Sequence, residues 1–287
     1  MDDFAAHGFF SDGAGPYAVI LGANEIASAI AVRLSWEGFR VVMSHDPFPP
    51  VIRRGMAFHD ALFEDLAEVD GIVGKRADSA IEIVHALAAY RGVAVTRLQL
   101  TDLITLRAPT LIVDARMQKH RVTPDLRGVA RLVVGVGPKF RVGENCDIAI
   151  ETHPARTGDL VAAGETLAAD GVARALAGAG KERFVYSTSQ GTWRTPLDIG
   201  ARVFRGYIIG YLDGSPVRAP MDGHLRGIAR DGTLAPSGVK LVEIDPRGRQ
   251  ASWTGTDERG RTIAAAVVDA IEKAREHLAA TPQPTLH

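Results

Sequence analysis

Five stretches of this sequence end an apolar run in residues able to do chemistry. Tyr17–Leu21 stops at Gly22, Ala23 and Asn24, and Phe39–Met43 stops at Ser44, His45 and Asp46. Thr110–Val113 ends in Asp114, Ala115, Arg116 and Met117. Leu132–Val136 ends in Gly137, Pro138 and Lys139, and Ile148–Ile150 in Glu151, Thr152 and His153. Polar residues at the ends of several buried strands are what a parallel sheet with a ligand edge requires. Arg53 and Arg54 follow a Pro47-Phe48-Pro49-Pro50 break, and adjacent guanidinium groups at such an edge suit phosphate or carboxylate. The bland alternative for the pair is a solvated loop. Arg116 and Lys139 add two further cations. Cys146 is the only cysteine, a candidate soft ligand or nucleophile if its pKa is lowered; buried and inert is the ordinary fate of such a thiol. Asp114 and Glu151 are candidate acid–base groups whose competing role is to hold loop backbone.

The stretch from Tyr17 to Arg54 positions the first of these groups. Strand, turn, a helix with Ile26, Ala27, Ile30 and Leu34 on one face, Gly38 and a second strand make a βαβ unit. Its turn matches a dinucleotide fingerprint at Gly22 and Ala27 but has Asn24 where the middle glycine belongs. Asn24 crowds a pyrophosphate and Glu25 repels it, so the alternative is a packing turn with Asn24 as helix cap. Asp46 lies in range for a ribose. Helices are expected over Phe58–Leu66 and Ala77–Tyr90, with a small strand from Gly71 to Gly74.

From about residue 156 Gly, Pro and Asp become frequent, and no helical period returns until Thr262–Leu278. Three similar turn–apolar–turn pieces, at 158–165, 199–206 and 231–238, predict short strands of a small sandwich or barrel. The expected fold is therefore α/β plus β. A leader spans 1–16, a Rossmann-like parallel-sheet domain 17–155, a β-rich domain 156–255, and a closing helix and tail 256–287.

Composition limits the function classes. The 287 residues suffice for two domains, and 46% hydrophobic with 23% charged content is ordinary for a globular protein. A net charge of −1 gives no field for nucleic acid or anionic membrane. A single cysteine excludes an internal disulfide and a cysteine-cluster metal site, so no metal is assigned. No apolar run nears the roughly 20 residues of a membrane span, and Met1-Asp2-Asp3 is acidic where a signal peptide is basic. The expected compartment is the cytoplasm.

Two resemblances follow from particular residues. Gly200-x-x-Val203-x-x-Gly206 and Ala219-Pro220-Met221-Asp222-Gly223 resemble the barrel-sandwich hybrid of biotinyl and lipoyl carriers. The intervening hairpin, Tyr211 to Val217, lacks the lysine those carriers modify, so no biotin or lipoate attachment is expected. The chain from Tyr17 to about Ile271 resembles the YqeB family, accessory proteins of selenium-dependent molybdenum hydroxylases. The matching pieces include Gly22-Ala23, Arg53-Arg54, Asp114-Ala115-Arg116-Met117, Gly135-Val136-Gly137-Pro138, Cys146 and Arg218 to Gly248. The resemblance implies a maturation factor, non-catalytic or weakly catalytic, that holds a molybdopterin-type cofactor or a nucleotide. Its partner would be a molybdenum hydroxylase, and it would be a homo-oligomer. Gly22, Ala23, Asn24, Asp46, Arg53, Arg54, Arg116, Gly137 and Lys139 are its candidate binding residues. The sequence departs from the family at Asn24, Glu25, His45 and Lys139, all on the presumed ligand edge. A nucleotide-dependent enzyme of the NAD(P) type and a docking scaffold are the alternatives.

Overall fold

The computed structural model describes residues 15–88, 92–118 and 123–280. Most of the expected leader, the end of the expected helix at Tyr90 and the tail beyond Ala280 lie outside the described residues.

Nine strands form one sheet: β1 (Tyr17–Leu21), β2 (Arg40–Ser44), β3 (Leu66–Val69), β4 (Ile72–Arg76), β5 (Gly92–Thr96), β6 (Leu111–Asp114), β7 (Leu132–Val136), β8 (Ile148–Ile150) and β9 (Leu160–Val161). Their spatial order is β3-β4-β5-β2-β1-β6-β7-β8-β9. Everything from β4 to β8 is parallel, and antiparallel β3 and β9 close the two edges. The chain runs outward from β1 on one side and returns to β6 on the other. In an open parallel sheet that reversal opens a crevice beyond the carboxyl ends of the two strands.

Helices cover both faces, which explains why β1, β6, β7 and β8 are buried along their whole length. On one face lie α1 (Glu25–Trp36) and a long C-terminal helix, numbered below. On the other lie α3 (Ala80–Ala88) and α4 (Leu100–Leu106), while α2 (Ala61–Glu64) is a single turn. The C-terminal helix α5 (Glu258–Ala280) buries Ile263, Val267, Ala270 and Ile271 against the same core as Ile26, Ile30 and Leu34 of α1. Gly260 permits this packing at the start of α5. A Cβ there would stand 3.0 Å from the Ala29 Cβ.

The remaining strands are β10 (Phe184–Tyr186), β11 (Gly191–Arg194), β12 (Arg202–Val203), β13 (Ile208–Leu212), β14 (Ser215–Arg218), β15 (Gly223–Ile228), β16 (Leu234–Ala235) and β17 (Lys240–Asp245). They make two four-stranded antiparallel sheets, β10-β17-β15-β12 and β14-β13-β11-β16. Buried Trp193, Ile209, Leu225, Ile228, Leu241 and Ile244 fill the space between them. Ile52, from the loop after β2, enters this second core, and its carbonyl accepts from the Ile228 N–H at 2.8 Å.

Three expectations are corrected. Phe58–Leu66 is not one amphipathic helix: a 3-10 turn and α2 end at Asp65, which has φ +64°, and Leu66 begins a strand. Of the three similar pieces, 199–206 and 231–238 supply β12 and β16. The first, 158–165, instead supplies β9 and extends the large sheet past residue 155, because Leu160 pairs with Ile150 and packs on the first core. The last helix starts at Glu258 rather than Thr262 because its opening turn carries charge instead of apolar periodicity, with Asp257 Oδ1 accepting from Gly260 N.

Candidate site at the carboxyl edge of the parallel sheet

The turn after β1 is built for close packing. Gly22 has φ +110°, and a Cβ there would lie 3.0 Å from the Ala115 carbonyl oxygen, so the loop after β6 rests directly on this glycine. Asn24 caps α1: its Oδ1 accepts from Ile26 N and Ala27 N, each at 3.0 Å, and its Nδ2 donates to Ala115 O at 2.8 Å. The capping alternative for Asn24 is the arrangement present. The first-turn amides that would meet a pyrophosphate are already satisfied, and Ala23 is buried beneath them. Replacing Asn24 with Ala removes three hydrogen bonds and should cost about 1–2 kcal/mol in urea unfolding; an unchanged midpoint would show the cap contributes nothing.

Across the reversal point, the loops after β2 and β6 are tied together. Asp46 accepts from Phe48 N at 2.9 Å and from the Gln118 amide at 2.7 Å. Buried Asp114 forms a bidentate pair with Arg116, at 2.9 and 2.6 Å, which holds the Arg116 guanidinium protonated. The loop after β7 turns through Gly137 at φ +113° and Lys139 at φ +71°, leaving the Lys139 side chain exposed. Met117, at φ +58°, faces Gly137; a Cβ on that glycine would meet the Met117 sulfur at 3.1 Å. Gly135 lets the Phe140 ring lie flat on β7. Together Asp114, Arg116, Met117, Gln118, Thr123, Val136, Pro138 and Phe140 line a small, partly open concavity. The structure thus brings Asp114, Arg116, Gly137 and Lys139 to one place, with Asp46 joined to it through Gln118. Gln118 and Thr123 were not legible as site residues, since neither ends an apolar run.

The other candidates go elsewhere. Arg53 does not face this concavity: it binds buried Glu243 at 2.6 and 3.1 Å and Glu25 at 3.1 Å. Burial opposes its charge, but Glu243, Glu25 and Asp257 hold it firmly protonated. Buried Arg54 donates to Ile228 O at 3.0 Å and Asp60 at 2.6 Å, and also pairs with Asp198. Neither a phosphate clamp nor a solvated loop, the two arginines are the polar seam between the large sheet and the second core. Glu151 is buried, accepting from Thr152 N at 2.7 Å, His153 N at 2.8 Å and Leu167 N at 2.7 Å. It organises backbone.

Cys146 is fully buried among Val133, Phe140 and Ala149. Burial pushes its thiol up to about 12, against the direction a nucleophile needs. Iodoacetamide at pH 8 should leave the native thiol unmodified while labelling it completely in urea; rapid native labelling would restore Cys146 as a reactive group. Among the described residues no group of three or more His, Cys, Asp or Glu is arranged to hold a metal, and no helix is long and apolar enough to cross a membrane.

Fold and edge together define a mixed α/β protein with a large parallel-centred sheet, smaller antiparallel sheets and a C-terminal helix. No protein-family model matches the chain. Over 254 residues, 88% of the chain, it is 30% identical to YqeB of Escherichia coli strain K12, whose description is an uncharacterized protein. That similarity supports the YqeB family. The chain spans 47% of that relative's length. Among solved structures, the ectoine utilization protein EutE (DoeB) from Ruegeria pomeroyi is 12% identical with a TM-score of 0.23, covering 80% of this chain and 85% of that one. An aspartoacylase family protein from Mesorhizobium loti is likewise 12% identical, with a TM-score of 0.24 over 80% of this chain and 86% of that one. Likeness at these scores carries no argument about this chain.

Proposed function

We propose that this chain is an accessory factor in the maturation of a molybdenum hydroxylase, non-catalytic or weakly catalytic, which holds a pterin or nucleotide cofactor at the carboxyl edge of its large sheet. The observation that carries the ligand reading is the concavity between the loops after β6 and β7, one strand from the reversal point between β1 and β6. The strand order there follows the doubly wound, Rossmann-like rule. Arg116, Gln118 and Thr123 line the concavity, with Met117 and Phe140 as apolar walls and exposed Lys139 beside them in the chain, although Arg116 is already paired with Asp114 and the Gln118 amide with Asp46. The molybdenum role rests on the resemblance to the YqeB family. On the same reading the two antiparallel sheets form a barrel-sandwich-like module that docks the partner enzyme, in a cytoplasmic homo-oligomer.

The donor set fits such a cofactor only in part, because Asn24 occupies the α1 amides and Arg53 and Arg54 are committed to carboxylates. A hydride-transferring nucleotide enzyme is less well supported for the same reason. The test is native mass spectrometry of the protein purified from its own host, before and after denaturation. A released mass with a pterin or nucleotide signature is the expected result. A bare chain that also fails to bind added pterin cofactor or nucleotides in calorimetry would overturn the cofactor reading.

A further inference from the structure

Where α5 starts, the large sheet meets the second core in a cluster of ion pairs. Glu243, at 0% exposure, receives Arg53 at 2.6 Å, Arg183 at 3.2 Å and Arg226 at 3.7 Å. Asp257 receives Arg226 at 2.9 Å and Arg53 at 3.7 Å, and Glu25 receives Arg53 at 3.1 Å. Arg259 stands in the field of the same groups, chiefly Glu25, Arg53 and Asp257. The neighbouring pairs Arg174–Glu258 and Arg247–Asp245 are each neutral. What remains is four guanidiniums, Arg53, Arg183, Arg226 and Arg259, against three carboxylates, Glu25, Glu243 and Asp257. The cluster is one positive charge in excess.

That excess is localised. Arg53, Arg183 and Arg226 all reach carboxylates, whereas Arg259 forms no ion pair among the described residues. Its one hydrogen bond there is Nη2 donating to Thr152 O at 3.1 Å, from a group with five N–H donors. Its location follows from contacts on both sides. Gly260 brings the start of α5 to within 4.0 Å of Glu25 O, measured from an ideal Cβ, at the head of α1, and Thr152 lies two residues beyond the end of β8. Thr152 Oγ1 in turn lies 3.8 Å from the Cβ position of Gly137, beside the concavity. The starts of α1 and α5 meet there, each already capped, by Asn24 and by Asp257. Burial pushes the Arg259 pKa down, with Arg53 and Arg174 adding to it and Glu25 and Asp257 opposing it.

We infer that Arg259 is an anion-binding residue of the carboxyl edge, completing the charge balance of the seam by holding the phosphate group of a small-molecule ligand. A partly buried planar guanidinium with donors to spare suits a phosphate. The inference rests on the proposed ligand edge for where the rest of the ligand lies, but the two fail separately.

Inorganic phosphate is the probe, titrated calorimetrically into the full chain in chloride buffer. Arg259→Gln should weaken phosphate at least about tenfold, while Arg205→Gln, at an exposed position of the second half, should leave it unchanged. In phosphate-free buffer the Arg259→Gln chain should melt no lower than the wild type, since it loses an uncompensated charge. Absence of phosphate binding to the wild-type chain would overturn the inference. So would equal binding by the Arg259→Gln chain, which would mean an adventitious ion only. A lower melting point for that variant without phosphate would assign Arg259 to holding the Thr152 carbonyl, and would also overturn it. Phosphate bound through Arg259, with no pterin or nucleotide recovered from the chain or bound by it when added, would leave the inference standing and end the cofactor reading.

Discussion

Replacing Glu243 with Gln should lower the unfolding free energy by about 3–5 kcal/mol, the range for breaking a buried charge cluster from one side. Glu243 is fully buried, and burial alone would raise its pKa. Arg53, Arg226 and Arg183 reverse that and keep it ionised. Removing its charge leaves three guanidiniums facing one another, with Asp257 and Glu25 at the margins to share among them. The loss should appear in urea unfolding as a shift of midpoint with little change of slope. Arg53→Ala should show a related cost, yet the two together should cost clearly less than their sum, because each breaks the same contact. Additive losses would mean that the pair is not coupled. Because Arg53 lies between β2 and the second core, both variants should also make the seam more accessible to proteolysis.

The second large effect concerns acid stability. His45, at the carboxyl end of β2, stands edge-on to His59 with ring centroids 5.2 Å apart, and its Nδ1 finds no hydrogen-bond partner among the described residues. Burial, reinforced by His59 and Arg97 and only partly opposed by Asp46, lowers its pKa from 6.5 to about 4. Between those values the unfolded chain binds a proton at this residue and the native chain does not. Stability therefore rises with pH across this window and is lost as pH falls from about 6.5 to about 4, by roughly 3 kcal/mol at most. His45→Gln should flatten that part of the profile. It should leave the steeper loss below pH 4, where Asp60, Glu243 and Asp257 with their lowered pKa values begin to protonate. A variant profile that parallels the wild type between pH 4 and 6.5 would rule out His45 as the source.

The elements of the large sheet are legible in the sequence because their signals are local. Leu132–Val136 and Ile148–Ile150 are strands with the bounds that their apolar runs set, and the Gly22–Asn24 turn starts α1 as the capping alternative requires. Gly260 and Arg259 gave no such signal. Their meaning depends on α5 lying against α1, some 230 residues earlier in the chain.

The class of the fold could be read from the chain alone: βαβ periodicity, then short strands between turns, then a closing amphipathic helix. So could the loops that crowd the carboxyl edge, since a parallel sheet gathers the ends of its strands there whatever their order. Only the tertiary structure decided which charges are free. Arg53 and Glu243 are 190 residues apart, and no local pattern reveals that a guanidinium read as a ligand clamp already has a carboxylate. Burial likewise removed Cys146 and Glu151 from the reactive groups, while Arg259 makes no ion pair among the described residues. A side chain's chemistry is set by its identity, but its availability is set by what folds against it.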